Sequence, residues 1–369
     1  MESKAITSAQ ATGRLLSLDA LRGFDMFWIV GMEEVFEALS VVTGTHLAKT
    51  LDHAPWVGLH FYDFIFPLFT FIIGVSQVFS LRKSIEQDGK VGATMKVLRR
   101  GLILFFLGFL YYGGVSKLRW LGVLQRLAIC SMGAGLCIIW LKTKGRVAVC
   151  ASILIGYWAL LTFVPVPGVG AGNYNEGMNL TNYLDKMYLP GFKWDGDHDP
   201  EGMLSTLPAI AQCLLGVFAG TLLMRKDLDG KKKVNLLVLG GVALIALGFL
   251  WSMQFPIIKK LWTSSFVLVT SGVGALLLAL FYNIIDVKGY NRWCTPFVWI
   301  GMNAITIYIV HSFFNFAKVG KGFFGGDIGE GLDRLITPGF GHLMVSLTVL
   351  ALVFLFTRFL YRRKIFIRV

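Results

Sequence analysis

Long apolar runs separated by short polar segments make up most of the 369-residue chain. A helix needs about 20 mainly apolar residues to cross a bilayer core. Ten runs of this kind occur: 24–43, 57–80, 99–115, 122–141, 147–165, 204–224, 234–254, 264–285, 295–316 and 340–361. The longest segment outside them, 166–203, is too short for a second domain of ordinary size. The pattern predicts about ten transmembrane helices in a single all-α, polytopic membrane domain over residues 1–369.

The composition, 55% hydrophobic and 15% charged, is typical of membrane proteins. Residues 1–22 lack an apolar core, so a cleavable signal peptide is not expected and the first helix should stay in the membrane. The five cysteines have no metal-ligand spacing and are expected to pack as small core residues. The sequence predicts no metal site.

The net charge of +13 is unevenly distributed. With ten crossings and a cytoplasmic N-terminus, 24 of the 35 Lys and Arg residues fall on the cytoplasmic side, as the positive-inside rule requires. Both termini, including segment 1–18, are therefore expected in the cytoplasm. The mainly acidic loop 166–203 is expected on the extracytoplasmic side. Since topology accounts for the basic residues, nucleic acid is not an expected partner.

Residues 51–74, LDHAPWVGLHFYDFIFPLFTFIIG, combine an apolar run with His53, His60 and Asp63. Ionisable groups inside membrane helices usually have a function. Because Pro55 is favoured in the first turn of a helix, His53 is expected at the outer mouth of the second predicted helix. The positive end of the helix dipole would keep the imidazole neutral, the form that acts as a base or a nucleophile. An interfacial surface histidine is the alternative.

The first predicted helix also contains acids. Asp19, Arg22 and Asp25 are three residues apart and would form a charge ladder on one helix face, either as a salt bridge at the helix end or as part of a site. Glu33 lies about 16 Å along a straight helix from Arg22, at about 1.5 Å per residue. A carboxylate at that depth must be protonated, paired or facing a wet cavity.

Gln125 and Arg126 stand at the outer start of the fourth predicted helix, in GVLQRLAI. The arginine either snorkels to the membrane interface or pairs with Asp63 or Glu33 in a shared cavity. Both residues are candidate substrate ligands.

Two further pairs of polar residues are candidate substrate ligands. Asp199 and Glu201 precede the sixth predicted helix in DPEGMLST, on the outer side, where the alternative is a solvated acidic loop. Asn303 and His311 are eight residues apart, so a continuous ninth helix would place them on nearly one face. Either residue could instead form a helix–helix hydrogen bond.

Seven segments, in this order, resemble one family of membrane-bound acetyltransferases. They are SLDALRGFD, DHAPWVGLHFYDFIFPLFTFIIG, GVLQRLA, VPVPG, DPEGMLST, LWTSSFVLVTSG and GMNAITIYIVH, the last preceded by DVKG. The family is that of heparan-α-glucosaminide N-acetyltransferase and its bacterial relatives that acetylate aminosugars. The resemblance extends from about Arg14 to the basic C-terminal tail.

The resemblance implies a transmembrane acetylation. Acetyl-CoA is supplied from the cytoplasmic side, and the acetyl group reaches the amino group of a glucosamine on the far side. His53 matches the histidine that is the proposed catalytic residue of the family, either as an acetyl carrier or as a base in a ternary complex. Glu33 departs from the family, because it stands where the lysosomal enzyme has an asparagine.

The resemblance also suggests roles for the other candidates. The phosphates of CoA would bind basic residues on the inner face, namely Arg22, Arg99, Arg100 or Arg292. The aminosugar would be attracted by acids, namely Asp199, Glu201 and Glu33. The developing oxyanion would be stabilised by Gln125, Arg126 or Asn303. Asp63 would orient the site or hold Arg126.

The expected acceptor is a small aminosugar or a glucosamine-terminated glycan, in a bacterial inner (cytoplasmic) membrane. A homodimer is possible on the same resemblance. Two other functions remain open. One is a proton-coupled sugar transporter with Glu33, Asp63 and His311 as a relay. The other is an acyltransferase that acts on a cell-envelope glycan.

Overall fold

The computed structural model of the chain describes residues 15–112 and 118–366. In these ranges the backbone forms helices and loops, and its only β pairing consists of three isolated bridges. Helices α1 to α15 are Leu16–Phe27, Glu33–Thr43, Leu47–Leu51, Ile65–Tyr111, Val123–Trp140, Thr143–Phe163, Leu180–Tyr188, Thr206–Leu223, Gly230–Ser252, Ser264–Tyr282, Thr295–Gly301, Ala304–Phe313, Phe316–Phe324, Gly326–Leu335 and Phe340–Arg362. Two π-helical segments, Trp28–Met32 and Asn283–Val287, and the 3₁₀ turn Phe61–Phe64 complete the helical structure.

Seven helical segments among the described residues are long and apolar enough to cross a membrane, or eight if the bent pair α11 and α12 is one span. This confirms the all-α, polytopic class, and the chain is an integral membrane protein. The predicted number of ten is not reproduced. The side of the membrane on which each terminus lies stays a prediction.

One part of the difference lies between the second and third predicted spans, 57–80 and 99–115. They belong to a single 51-residue helical segment, Phe61–Tyr111. The polar stretch between them is rich in good helix formers and stays helical, with Gly89 alone in a non-helical conformation (φ 70°). At about 1.5 Å per residue, the segment exceeds twice the thickness of a bilayer core, so both predicted crossings fit within it.

The other part lies in the first predicted span, 24–43, which is not one continuous helix. Helix α1 ends at Phe27, and Gly31 in the π-helical segment has φ 155°, a conformation that residues with a Cβ rarely adopt. Helix α2 then begins at Glu33. Neither helix is long enough to span a bilayer, and Glu33 does not lie partway along a straight helix from Arg22.

The ninth predicted span, 295–316, is also broken. Helices α11 and α12 meet at an angle of 73°. Asn303 lies in the break, as the residue that precedes α12. The prediction that Asn303 and His311 share one face of a continuous helix is therefore wrong.

The described chain forms two compact units. Unit 1 comprises the described residues up to His53, the segment His60–Ile65, and those from Leu280 onward. Unit 2 comprises Ala54–Leu59 and the described residues of Phe66–Ala279. The single domain over 1–369 stays a prediction, and residues 1–14 of the predicted cytoplasmic segment 1–18 lie outside the described residues.

Close helix crossings shape each unit. In unit 1, a Cβ on Gly23 of α1 would collide with the Phe297 carbonyl group of α11. The amides of Leu16 and Ser17 at the start of α1 donate to the Asp286 carboxylate, at 3.3 and 3.1 Å. In unit 2, a Cβ on Gly74 of α4 would collide with the Cys213 carbonyl group of α8. Small residues thus allow the backbones to approach closely within each unit.

Candidate active site

The segment that carries His53 is a loop rather than the start of a helix. Helix α3 ends at Leu51, and the next helical turn begins at Phe61. Gly58, at φ 118°, turns the chain between them. The prediction that Pro55 starts the helix, with its dipole acting on His53, is therefore wrong.

His53 instead forms a direct hydrogen bond with Asp63. The His53 Nδ1 atom lies 2.9 Å from Asp63 Oδ1. The Asp63 side chain is 1% exposed, whereas the His53 side chain is 50% exposed. The second carboxylate oxygen accepts from the backbone amide of His60 at 2.9 Å. A buried acid, fixed at the start of the 3₁₀ turn, thus anchors an accessible imidazole ring.

This hydrogen bond selects the tautomer of the ring. An ionised carboxylate only accepts hydrogen bonds, so Nδ1 must carry the proton that it shares with Asp63. In a neutral imidazole the other nitrogen, Nε2, then holds the lone pair. The arrangement suits His53 as a base or a nucleophile, and the oriented ring needs no helix dipole.

His60 has a structural place in the same loop. Its ring nitrogen Nδ1 lies 3.0 Å from the Asp52 carbonyl oxygen. The Asp52 side chain accepts from the backbone amide of His53 at 2.6 Å. These two bonds hold the chain on both sides of Pro55 and Gly58.

Tyr62 is a further residue beside His53, which the sequence reasoning missed. Its ring meets the imidazole edge-on, with 6.1 Å between the ring centroids. The phenol is buried, and its hydroxyl has no hydrogen-bond partner among the described residues. Glu33, half-buried at the start of α2, is among the acids whose charge acts on this phenol. The buried O–H is a donor available to a substrate oxygen.

A second cluster, in unit 2, is centred on Arg119, which the sequence reasoning also missed. Its Nε and Nη2 atoms donate to Asp199 at 2.8 and 2.6 Å, and Nη2 also donates to Glu201 at 2.5 Å. The guanidinium lies 4.6 Å from the Tyr112 ring and 5.4 Å from the Trp194 ring. Burial alone lowers the pKa of Arg119, but its bonds to Asp199 and the charge of Glu201 raise it above the ordinary value.

The loops around Arg119 fix this cluster. Arg119 forms a β-bridge with Gly191, whose φ of 77° favours glycine. The buried Gln125 side chain donates from Nε2 to the Arg119 carbonyl oxygen at 3.2 Å. The Asp185 carboxylate accepts from the amide of Met203 at 2.9 Å, and burial raises the pKa of Asp185 to about 6. Gln125 is thus placed to support the backbone of Arg119.

Arg126 lies completely buried near the same acids. Its Nη2 atom donates to the Pro200 carbonyl oxygen at 2.9 Å and to the Ser205 hydroxyl at 2.5 Å. The guanidinium stands 4.8 Å from the centre of the Trp262 ring. In the part of the chain that the structure describes, Nε and Nη1 have no hydrogen-bond partner. A buried cation with unused donors is costly unless an acceptor fills the place.

Asn303 and His311 belong to neither polar cluster. The Asn303 side chain is buried, and neither of its amide atoms finds a hydrogen-bond partner within 15–112 and 118–366. The His311 ring stacks on Phe316, with 6.0 Å between centroids. Their predicted roles as substrate ligands stay predictions.

The four arginines predicted to bind CoA differ in exposure. Arg22 is 21% exposed and lies 3.4 Å from Asp19. The other three are exposed, namely Arg99, Arg100 and Arg292. Arg22 and Arg292 belong to unit 1, and Arg99 and Arg100 to unit 2. Their role in binding the phosphates of CoA stays a prediction.

One group of side chains has the composition of a metal site. The ligand atoms of Glu176, Asp195 and His198 lie within 4.8 Å of one another. The Lys260 ammonium group, however, contacts Glu176 at 3.0 Å and Asp195 at 2.9 Å. Lysine thus already supplies a cation to these acids.

Comparison with known proteins agrees with the resemblance seen in the sequence. The profile of the heparan-α-glucosaminide N-acetyltransferase catalytic family matches residues 14–247, which include both polar clusters. The chain is 29% identical to the human heparan-α-glucosaminide N-acetyltransferase, over 96% of this chain and 59% of the relative. It is 27% identical to the mouse protein, over 83% of this chain and 54% of the relative. The chain thus spans little more than half the length of these relatives, and it belongs to the heparan-α-glucosaminide N-acetyltransferase catalytic family.

Proposed function

We propose that this protein is a transmembrane acetyltransferase that moves an acetyl group from acetyl-CoA to the amino group of a glucosamine-type sugar. The observation that carries the proposal is the hydrogen bond between His53 and Asp63. It combines an accessible imidazole with a buried carboxylate, in the part of the chain that matches the family.

In one route His53 acts as a base. The amine nitrogen forms a bond to the thioester carbon while Nε2 of His53 takes the proton that the amine loses. The carbon–sulfur bond then breaks, and the CoA thiolate takes that proton from the imidazolium. Asp63 stabilises the imidazolium through Nδ1, and the buried Tyr62 hydroxyl is placed to donate to an acetyl oxygen.

In the other route His53 acts as a nucleophile. Its Nε2 atom forms a bond to the thioester carbon, and the carbon–sulfur bond breaks to give an acetyl-imidazolium, beside the Asp63 carboxylate, and the CoA thiolate. The amine nitrogen then attacks the acetyl carbon, the carbon–Nε2 bond breaks to release the neutral histidine, and the proton that the amine loses passes to the CoA thiolate. Both routes need the tautomer that the Asp63 hydrogen bond supports.

The charged candidates have different proposed roles. Asp199 and Glu201 are engaged by Arg119, so we assign them to holding that loop rather than to direct attraction of an ammonium group. Arg126 keeps its Nε and Nη1 groups as donors for a substrate oxygen. Exposed arginines suit the phosphates of CoA on the predicted cytoplasmic side, namely Arg99, Arg100 and Arg292. A bacterial inner membrane and a homodimer belong to the proposal as well.

Purified protein in proteoliposomes tests the function. Labelled acetyl-CoA and glucosamine should give labelled N-acetylglucosamine, identified by mass spectrometry, at a rate that depends on both substrates. Labelled sugar taken up without acetyl-CoA, and without product, would instead indicate a transporter. Brief incubation with labelled acetyl-CoA alone distinguishes the routes, because only the nucleophilic route leaves label on the protein.

A further inference from the structure

A cavity in unit 2 is used by neither polar cluster. Its volume is about 470 Å³, within the size range of small-molecule sites. Its wall includes Trp56, Asn173, Tyr174, Asn175 and Pro256. The cavity therefore combines aromatic rings with side-chain amides.

Hydrogen bonds hold the two aromatic residues of this cavity in place. The Trp56 indole N–H donates to the Tyr174 carbonyl oxygen at 2.9 Å. The Tyr174 hydroxyl lies 2.8 Å from the Thr162 hydroxyl, and its ring packs against Phe255 at 5.3 Å. Rigid aromatic surfaces lose little entropy when a ligand binds to them.

The two asparagines supply polar groups at the same cavity. Asn173 accepts from the backbone amide of Asn175 through Oδ1 at 2.9 Å, while its amide nitrogen has only a weak contact of 3.9 Å with the Met178 sulfur. The Asn175 side chain is exposed. Amides that both donate and accept, beside aromatic faces, match the hydroxyl groups and C–H surfaces of a pyranose ring.

Charge at the cavity disfavours an anion. None of the described residues that line it is charged. The nearby Lys260 ammonium group stands 5.8 Å from the Trp56 ring, but it is paired with Glu176 and Asp195. The described lining thus offers no cation to a uronate or a sulfated sugar, and the nearest ammonium group is already paired with two carboxylates.

We propose that this cavity binds an uncharged pyranose, a hexose or an N-acetylhexosamine. The faces of the sugar ring would pack against Trp56 and Tyr174, and its hydroxyl groups would form hydrogen bonds with the side chains of Asn173 and Asn175.

Equilibrium binding tests the site without any turnover. Calorimetry on the full-length chain carrying His53→Ala should show binding of a neutral N-acetylglucosamine disaccharide. Adding Trp56→Ala should weaken that binding about tenfold, as loss of one aromatic contact predicts, whereas Trp56→Phe should retain most of it. Trp140→Ala, which removes an exposed tryptophan elsewhere in unit 2, is the matched control and should change nothing.

A second variant tests the site independently, so that the test does not depend on the folding of Trp56→Ala. The double variant Asn173→Ala and Asn175→Ala should also weaken binding about tenfold while the melting temperature stays near that of the parent. A disaccharide of equal size that carries glucuronate should bind at least tenfold more weakly than the neutral one. Equal binding of the two disaccharides, or binding unchanged in both cavity variants, would overturn the proposal.

Discussion

The two polar clusters of the chain differ in what their charges contact. In unit 1, His53 is half-exposed and meets one buried carboxylate, that of Asp63. In unit 2, the Arg119 side chain is 3% exposed and is held by the carboxylates of Asp199 and Glu201. An accessible ring on an anchored acid can meet a substrate, whereas a buried and fully engaged guanidinium mainly fixes its surroundings. The difference supports the proposal that the more highly charged cluster is the framework and that the His53–Asp63 pair is the reactive group.

The largest expected effect is on stability and concerns the framework. Arg119→Ala leaves two carboxylates buried without their cation, and we expect it to lower the free energy of unfolding by about 3–5 kcal/mol. A thermal melt in detergent measures this loss. The matched control is Arg334→Ala, which removes an exposed pair with Glu330 and should change little. Equal melting temperatures for the two variants would show that the Arg119 cluster is not a framework.

The next effect is on chemistry and concerns the reactive pair. Asp63→Asn removes the charge that stabilises the imidazolium, and we expect kcat for acetyl transfer to fall by roughly 100-fold to 1000-fold. Steady-state kinetics near pH 7 measure it. The control is Asp52→Asn, which alters an exposed acid in the same loop and keeps an acceptor for the His53 amide. Full activity in Asp63→Asn would show that the reaction does not need the Asp63 carboxylate.

The dependence of stability on pH gives a third prediction, which concerns the buried Asp185 in unit 2. The folded state raises the pKa of Asp185 to about 6 from an unfolded value of 3.8, through burial. The folded protein therefore binds this proton more tightly, and the associated stability is present below pH 4 and is lost as the pH rises through 6. At about 1.4 kcal/mol per pH unit, the loss approaches 3 kcal/mol.

Asp185→Asn should flatten the dependence of melting temperature on pH between pH 4 and 7. The amide cannot ionise, but it keeps an oxygen for the Met203 amide. Asp229→Asn, at an exposed helix cap, is the matched control for the loss of one carboxylate. An unchanged slope in Asp185→Asn would show that its burial does not govern this part of the profile.

The smallest expected effect concerns the phenol beside the reactive pair. Tyr62→Phe removes one buried hydroxyl and keeps the ring packed at its edge-on contact with His53. We expect kcat to fall about tenfold, as loss of one hydrogen bond to a developing charge predicts. The melting temperature should not fall, because the hydroxyl has no partner among the described residues. A lower melting temperature with full kcat would assign the Tyr62 hydroxyl to stability rather than to the reaction.

The helical class followed from the sequence because apolar runs of bilayer length have few other folds available. The motif DHAPW and the resemblance led to His53 as the candidate catalytic residue. The hydrogen bond from His53 to Asp63 was not predicted. It depends on a loop that turns at Gly58, and the sequence alone does not show that Gly58 adopts a positive φ. Pro55 suggested a helix start that the structure does not have.

Helix breaks, and ion pairs between residues that are distant in the sequence, were also not predicted. The break at Gly31 and the 73° bend at Asn303 occur inside runs of membrane length, where one glycine or one asparagine does not by itself mark the end of a helix. Arg119 was missed because its partners, Asp199 and Glu201, lie 80 and 82 residues further along the chain. A signal for it did exist, since Arg119 precedes a tryptophan at the start of an apolar run, and the acidic loop 166–203 is predicted on the same side of the membrane.

We propose that the exposed histidine, and not the arginine cluster, carries out the chemistry. The most direct test is the rate of acetyl transfer from acetyl-CoA to glucosamine by His53→Ala, compared with His342→Ala, which changes an exposed histidine elsewhere in unit 1. We expect a rate at least about 100-fold lower for His53→Ala, with a melting temperature equal to the parent, and no loss for the control. Undiminished transfer by a folded His53→Ala variant would contradict it.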